Sequence, residues 1–316
     1  MKFRCLCLLF LALGLMQHCA AQDSVDDPPN AEPAAASPAS APDASTKDAS
    51  TLDASIKDAS LTDPAELSRP WEVARPDQDP DRKVSWKRLV PNMARDQKQM
   101  WLFPLSVAHG QHLLPTLAFV GATATFMAMD AHNATYFRHT SAYKGFNNAF
   151  SGRNTSILME ALPTIMYGVG LARKDSYMQH TFLLAGEAVL DSEILTSVMK
   201  DIDRRLLPGE VLNENFSESW FRKTDGSLVK GRGSFPSGHG IVAFSLATVI
   251  ADRYPNPRWI PWTAYGFASL VTFSRLPLQA HFSSDAFAAA VLGYVIAHYV
   301  VLHRTRTSFG GRRFRL

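Results

Sequence analysis

The chain has 316 residues, 46% of them hydrophobic, and a formal net charge of +3 at pH 7. So small a positive charge argues against a nucleic-acid-binding protein. The three cysteines, Cys5, Cys7 and Cys19, all lie within residues 1–21. Removal of that segment would leave no disulfide, no thiol nucleophile and no thiolate metal site.

Residues 1–21 are organised like a secretory signal peptide. Two basic residues precede an apolar run from Cys5 to Met16, and a small-residue cleavage site ends at Ala21. The run is shorter than the roughly 20 residues that a membrane-spanning helix needs. We therefore predict cleavage after Ala21 and export of the mature chain. Lipidation of Cys19 is an alternative, although the residues before it match such sites poorly.

Residues 22–70 predict a disordered tether rich in Ala, Ser, Asp and Pro. Within it, "DASTKDASTLDASIKDASLTD" repeats Asp-Ala-Ser every five residues. A five-residue period fits neither a heptad nor a strand, and this composition cannot bury enough apolar surface to offset the chain entropy lost on folding. Nothing in the segment specifies a partner.

Residues 71–303 predict one all-α domain, a helical bundle of about six core helices. Its apolar segments have near-helical lengths, several are separated by Gly or Pro, and no strand-like alternation is sustained. These segments are 113–129, 156–172, 181–199, 240–251, 259–274 and 286–302. After the bundle, residues 304–316 form a basic tail, which fits either a solvated terminus or attraction to anionic lipid.

The apolar segments leave the relation to a membrane open. Segments 113–129 and 286–302 could cross a bilayer, whereas segment 181–199 carries three carboxylates, and an aspartate costs about 2.5–3.5 kcal/mol at the bilayer centre. Three segments precede Lys200, so crossing by all three would return that residue to the cytoplasm after export. We therefore predict that an even number cross, or none, and that most segments are buried helices of an extracytoplasmic bundle at or near a membrane.

Three short stretches in the last third of the chain carry groups that phosphate chemistry needs. They are "KDIDRRLLP" from Lys200, "PSGH" from Pro236 and "SRLPLQAHFSSD" from Ser274. Each alone has an ordinary explanation as a helix end, a turn or a surface pair. Together they provide cations, N–H donors, a nucleophile and an acid.

The cations and donors define a predicted phosphate site. Lys200, Arg205 and Arg275 would neutralise the non-bridging oxygens. Ser237 and the backbone N–H groups of Gly238 and the following histidine would form an anion site at a helix start. The absence of a side chain at Gly238 lets a phosphate approach the backbone.

Two histidines and a carboxylate define the predicted catalytic groups. His281 supplies an imidazole, and Asp285, one helical turn later, would hold its tautomer through the far ring nitrogen. His239 is then placed to protonate the departing oxygen.

These stretches, in this order, resemble the motifs of the superfamily of type 2 phosphatidic acid phosphatases and vanadium haloperoxidases. The motifs are Lys-x6-Arg-Pro, Pro-Ser-Gly-His and Ser-Arg-x5-His-x3-Asp, and the second and third match at every position. The resemblance covers roughly residues 180–303, with looser similarity from about Asp96. It implies a phosphohistidine on His281, protonation of the leaving alcohol by His239, and no metal ion or other cofactor.

The first motif departs from the pattern, because Leu207 stands where the arginine before Pro208 is expected. Either one phosphate contact is missing, or Arg204 or Arg205 supplies it. Many members carry an arginine at the position of Arg205, which makes it the predicted substitute.

The resemblance predicts an exported, membrane-associated phosphomonoesterase or pyrophosphatase that acts on a lipid phosphate, of the phosphatidate or prenyl pyrophosphate class. Three alternatives stay open: a vanadate-dependent haloperoxidase, a phosphate-binding protein with weakened catalysis, and a hydrolytic metal site formed by His239, His281 and Asp285. The oligomeric state is not indicated.

Overall fold

The computed structural model describes residues 84–222 and 233–302, with the side chain of Glu160 excepted. The predicted signal peptide, tether and basic tail lie outside the described residues. Those residues belong to one compact unit and contain helices but no strands. The all-α prediction is therefore confirmed.

Eight α-helices follow one another along this part of the chain. They are α1 (Leu89–Ala108), α2 (Leu113–His139), α3 (Lys144–Ala149), α4 (Gly152–Ala172), α5 (Ser176–Asp203), α6 (Gly238–Arg253), α7 (Trp259–Ser274) and α8 (Ser283–Val295). A π-helical stretch, Ile296–Leu302, continues α8. Three single 3-10 turns, Pro208–Glu210, Leu212–Glu214 and Phe216–Glu218, lie between α5 and α6. The six predicted segments correspond to α2 and α4–α8.

Short polar residues fix where three of these helices begin. Ser151 accepts a hydrogen bond from the backbone N–H of Asn154 at the start of α4, at 3.3 Å. Asp175 does the same at the start of α5, and Ser237 at the start of α6. Each cap satisfies an N–H group that the first helical turn leaves without an intrahelical partner.

Helix α6 lies at the centre of the bundle, against α5, α7 and α8. Small residues let α6 and α8 approach closely. A Cβ atom on Gly293 of α8 would lie only 2.4 Å from the carbonyl oxygen of Ile241 of α6. The core around this contact consists of aliphatic side chains of α5–α8, among them Leu184 and Val249.

From α2 onward the long helices run alternately up and down, so that one end of the bundle collects six of their terminal segments. The C-terminal parts of α2, α5 and α7 meet the starts of α4, α6 and α8 there, through hydrogen bonds such as those from the Ser284 N–H to Asp130 and from His239 to the carbonyl of Gly152. We call this the motif end. At the opposite end, the start of α5 meets the end of α6, where Tyr177 donates to the carbonyl of Arg253.

Helices α2 and α4 turn apolar surface outward, and these two of the six predicted segments are exceptions to the expectation that most segments are buried. Together with Ser283–Leu302 they are long and apolar enough to cross a membrane, yet only 11% of the most apolar stretch of α2 and 24% of that of α4 are buried. Leu114 and Ile165 are among their exposed side chains. Such continuous apolar surface is typical of a membrane-associated protein.

Helix α1 is the one long helix in the described residues that the apolar segments did not predict. Its polar side chains face inward: Asn92 donates to Glu187 of α5 at 2.9 Å, and Gln97 donates to Asp191 at 3.0 Å. Its apolar side chains Val90 and Leu105 are exposed. Glu187 and Asp191, two of the three carboxylates that argued against crossing by segment 181–199, are thus enclosed by protein.

Candidate active site

Backbone hydrogen bonds join the three motif stretches at the motif end. The N–H of Ser234, just before "PSGH", donates to the carbonyl of Arg205 at 2.7 Å. The N–H of Ser237 donates to the carbonyl of Asp285 at 3.3 Å. Stretches that lie far apart along the chain therefore form one continuous structure.

His281 lies just before α8 and is buried. Its Nδ1 is 2.6 Å from the backbone carbonyl oxygen of Ser234. A carbonyl can only accept a hydrogen bond, so Nδ1 carries the proton, and in the neutral ring the lone pair is on Nε2. A histidine held in this tautomer offers Nε2 as a nucleophile.

The predicted hydrogen bond between Asp285 and His281 needs a correction. The carboxylate of Asp285 is 3.8 Å from Nδ1 of His281, too far for a direct hydrogen bond. It accepts instead from the hydroxyl of Ser234 and, at 2.8 Å, from the N–H of Phe282. The spacing of four residues assumed one helical turn, but α8 begins only at Ser283. The influence of Asp285 on the ring is therefore indirect, through Ser234.

His239 occupies the first turn of α6 and is buried against the start of α4. Its Nε2 is 2.9 Å from the hydroxyl of Ser156 and 3.2 Å from the carbonyl of Gly152. The carbonyl requires a proton on Nε2, so Nδ1 is the nitrogen that a protonated ring would use to donate elsewhere. Ser156 was not predicted, because no local pattern connects it with "PSGH".

Ser237 and Gly238 form the start of α6, where the sequence predicted an anion site. The hydroxyl of Ser237 accepts from the N–H of Gly240 at 3.4 Å, so its first role is that of a helix cap. Gly238 is buried and opens the helix. A helix start of this kind presents backbone N–H groups and the positive end of the helix dipole.

Two of the predicted phosphate-binding cations are buried in the surrounding helix ends. Lys200 lies in the last turn of α5 beside Gly233, whose Cβ position would be 3.1 Å from the carbonyl oxygen of Lys200. Arg275 donates to the carbonyl of Phe150, just before α4, and to the hydroxyl of Ser274 at 2.9 Å.

Arg205 has different surroundings from those expected of a phosphate ligand. Its guanidinium contacts the carboxylates of Asp130 and Asp285, at 2.6 Å and 2.5 Å. Leu207, at the departing motif position, is half-buried, and its N–H donates to Glu210 at 3.2 Å. Arg204 donates to the carbonyl of Asp201 at 3.1 Å.

Asp203, the last residue of α5, is a titratable group close to this site. Its carboxylate accepts the N–H of Arg205 at 3.0 Å. Burial raises the pKa of Asp203 from 3.8 to about 7, despite the opposing effects of that hydrogen bond and of Lys200. No local sequence pattern indicates this shift, because it depends on the burial of the carboxylate in the folded protein.

Residues 84–222 and 233–302 contain no group of three or more His, Cys, Asp or Glu side chains arranged to hold a metal ion. His239, His281 and Asp285 therefore do not form the cluster that the metal-site alternative needs. Whether the reaction is metal-independent stays a prediction.

Residues 181–308 match the family model described as the PAP2 superfamily. The match includes all eight predicted site residues, from Lys200 to Asp285. No curated protein and no solved structure matches the chain. The helical bundle, the joined motif stretches and this match together support membership of the PAP2 superfamily through residues 181–308.

Proposed function

We propose that this protein is a phosphatase that hydrolyses a lipid phosphate through a phosphohistidine on His281. The observation that carries the proposal is the hydrogen bond from Nδ1 of His281 to the Ser234 carbonyl, which leaves the Nε2 lone pair for attack. Membership of the PAP2 superfamily supports phosphatase or haloperoxidase chemistry, and nothing in the described residues favours the haloperoxidase.

In the first step Nε2 of His281 attacks phosphorus, and a P–N bond forms as the bond to the leaving oxygen breaks. His239, protonated on both nitrogens, donates the Nδ1 proton to that oxygen, so that a neutral alcohol departs. The N–H groups at the start of α6, with Lys200 and Arg275, would stabilise the charge on the non-bridging oxygens.

In the second step water attacks phosphorus while the now neutral His239 accepts its proton. The P–N bond breaks and its electron pair returns to Nε2 of His281, which releases inorganic phosphate and restores both histidines. The step consumes one water molecule per ester and needs no redox partner.

The proposed lipid nature of the substrate follows from the surface around the motif end. The exposed apolar faces of α2 and α4 extend to that end, where Asp130 and Ser156 lie. A lipid held in a membrane beside these helices would present its phosphate at the level of the site. Phosphatidate and prenyl pyrophosphate both fit this description, and an extracytoplasmic location remains part of the proposal.

Phosphate release by the purified protein tests this function. The substrates are phosphatidate, a prenyl pyrophosphate and a nitrophenyl phosphate, each with a chelator present. We expect release that His281→Ala abolishes and that vanadate inhibits. Release that persists in folded His281→Ala would refute the phosphohistidine, and peroxidase activity gained with vanadate would favour the haloperoxidase.

His239→Ala separates the acid from the nucleophile. General acid catalysis contributes typically about 10²–10⁴-fold, so the variant should lose that much activity on phosphatidate. Measured as kcat/KM, which reports the first step and not the later attack of water, its loss on nitrophenyl phosphate should be far smaller, because nitrophenolate departs without a proton. Equal losses on both substrates would contradict the acid role.

A further inference from the structure

Asp130 of α2 is a buried carboxylate that holds the start of α8, and it lies outside the motif stretches. Only 3% of its surface is exposed. One oxygen accepts from the N–H of Ser284 at 2.9 Å and the hydroxyl of Ser283 at 2.8 Å, and the other accepts from the hydroxyl of Ser284 at 2.5 Å. Asp130 thus caps the helix that begins directly after the proposed nucleophile.

Arg205 connects this cap to the motif carboxylate. Its Nη2 donates to Asp130 at 2.6 Å, and its Nη1 donates to Asp285 at 2.5 Å and to Ser284 at 2.8 Å. The rings of Trp220 and Phe282 cover the guanidinium, with centroids 4.3 Å and 3.9 Å from its central carbon.

These surroundings compensate the positive charge of the Arg205 guanidinium. A buried guanidinium between two carboxylates has its charge compensated, and four of its five N–H groups donate to Asp130, Asp285 and two serine hydroxyls. A phosphate would therefore have to compete with two carboxylates for a guanidinium that two aromatic rings cover. Arg205 is therefore poorly placed to act as a phosphate ligand, whatever the resemblance at its motif position implies.

The same contacts lead to the proposed nucleophile. Asp285, held by Arg205, accepts from the hydroxyl of Ser234, and the carbonyl of Ser234 accepts from Nδ1 of His281. Hydrogen bonds therefore connect Asp130 through Arg205 and Asp285 to the hydroxyl of Ser234, and the backbone carbonyl of the same serine holds His281.

We propose that Asp130 and Arg205 are positioning residues that fix the ring of His281 through Asp285 and Ser234. The proposal rests on the function proposed above. It replaces the predicted phosphate-binding role of Arg205, and it assigns a role to a residue of α2, outside the region that matches the family model.

Steady-state kinetics of Asp130→Asn and Arg205→Lys on nitrophenyl phosphate test the proposal. Misplacing a reacting group by about 1 Å can cost about 100-fold in rate, so we expect kcat to fall by roughly 10- to 100-fold. The KM and the inhibition constant of inorganic phosphate should stay within about twofold of wild type. The double variant should lose little more than the worse single variant, because both act on one network.

Asn133→Ala is the matched control. Asn133 lies one turn after Asp130 on α2 and donates to the hydroxyl of Ser283 at 3.0 Å, so it touches the same start of α8. We expect nearly wild-type kcat. An equal loss in this control would reduce Asp130 to a general structural role. A rise of about tenfold or more in KM and in the phosphate inhibition constant of Arg205→Lys, with kcat kept, would make Arg205 a phosphate ligand and overturn the proposal.

Ser284→Ala provides a second test of the positioning role if Asp130→Asn and Arg205→Lys both fail to fold. It removes one hydrogen bond to Asp130 and one to Arg205 without removing a charge. A several-fold fall in kcat at unchanged KM is expected, and an unchanged kcat would count against the network.

Nitrogen-15 NMR of labelled histidine separates this proposal from the proposed function. The signals of His281 are identified by their loss in His281→Gln, and they report which ring nitrogen carries the proton. Asp130→Asn and Arg205→Lys should change them, whereas Asn133→Ala should not. If the wild-type protein releases no phosphate, the proposed function fails while these spectra still decide the positioning role. Unchanged His281 signals in both variants would overturn that role even in an active enzyme.

Discussion

Each proposed catalytic histidine is oriented by a carbonyl oxygen rather than by a carboxylate. His281 donates to Ser234, and His239 donates to Gly152. A backbone acceptor cannot titrate, so it keeps the same nitrogen protonated at any pH at which the bundle is folded. The tautomers therefore depend on the backbone geometry of the loop before α6 and of the start of α4.

Asp203 adds a pH dependence to stability. Its pKa is 3.8 when unperturbed and about 7 in the folded protein. Between these values the folded state holds a proton that the unfolded state has lost, so the free energy of unfolding falls as the pH rises through this range. Above pH 7 the full penalty of burying the charged carboxylate remains.

Asp203→Asn should remove this dependence. An amide oxygen can still accept the Arg205 N–H, which lies 3.0 Å from the carboxylate, but an amide does not titrate. The melting temperature of the variant, relative to wild type, should rise from pH 5 to pH 8. Thermal unfolding followed by circular dichroism measures this difference. A constant offset between the two proteins across that range would contradict the raised pKa.

The residues that sequence motifs located differ from those that only the fold reveals. His239, His281 and Asp285 belong to local patterns. Ser156 and Asp130 act on residues far along the chain, and no local spacing connects them. The sequence does contain one indication of Asp130, because this carboxylate directly follows the apolar segment 113–129 and the helix continues beyond it to His139. A lone carboxylate in such a helix indicates an inward-facing polar contact.

At the scale of helices, the six apolar segments of near-helical length correctly predicted six helices. They missed α1 for a physical reason. Helix α1 turns Asn92 and Gln97 toward Glu187 and Asp191 of α5, whereas the expected pattern places apolar side chains inward. The acidic residues of α5 were visible in the sequence, but their partners lie about 95 residues earlier, beyond any local pattern.

The close approach of α6 and α8 depends on Gly293. A methyl group there would meet the carbonyl of Ile241 at 2.4 Å and the Cβ of Phe244 at 3.0 Å. Because backbone cannot yield as a flexible side chain does, we expect Gly293→Ala to destabilise the protein by about 1–3 kcal/mol. Chemical unfolding measures the change.

Gly266→Ala of α7 is the control for this prediction. No atom lies within 4 Å of the Cβ position at Gly266, so alanine should be neutral or stabilise the helix by up to about 1 kcal/mol. Similar effects of the two substitutions would mean that helix propensity, not contact between α6 and α8, decides the result.

At the scale of the whole molecule, the alternating helices place the start of α2 and the end of α8 away from the site. The motif end carries the proposed catalytic groups, and the opposite end carries the start of α7 with its exposed Trp262. If α2, α4 and α8 cross a membrane, the two ends face opposite aqueous compartments. Helix α5 would then cross beside them, with Glu187 and Asp191 enclosed by protein. The number of crossings can therefore be determined by measuring which side of the membrane each end faces.

Single cysteines can decide this topology, because the chain has cysteines only at positions 5, 7 and 19. Leu212 at the motif end is 81% exposed, and Trp262 at the opposite end is 79% exposed. In intact cells a membrane-impermeant maleimide should label Leu212→Cys, and should label Trp262→Cys only after the membrane is opened. The unsubstituted chain gives the background. Labelling of both variants in intact cells would place the whole bundle on one side of the membrane.

The contacts of α1 also set a limit on how far the protein can be shortened. The family match begins at residue 181, but Asn92 and Gln97 meet the carboxyl groups of α5, and Asp130 holds the start of α8. A fragment that began at the matched region would expose to lipid or solvent a face of α5 built to meet other helices. We therefore expect the smallest autonomous folding unit to start before Leu89, less than a third of the way along the chain.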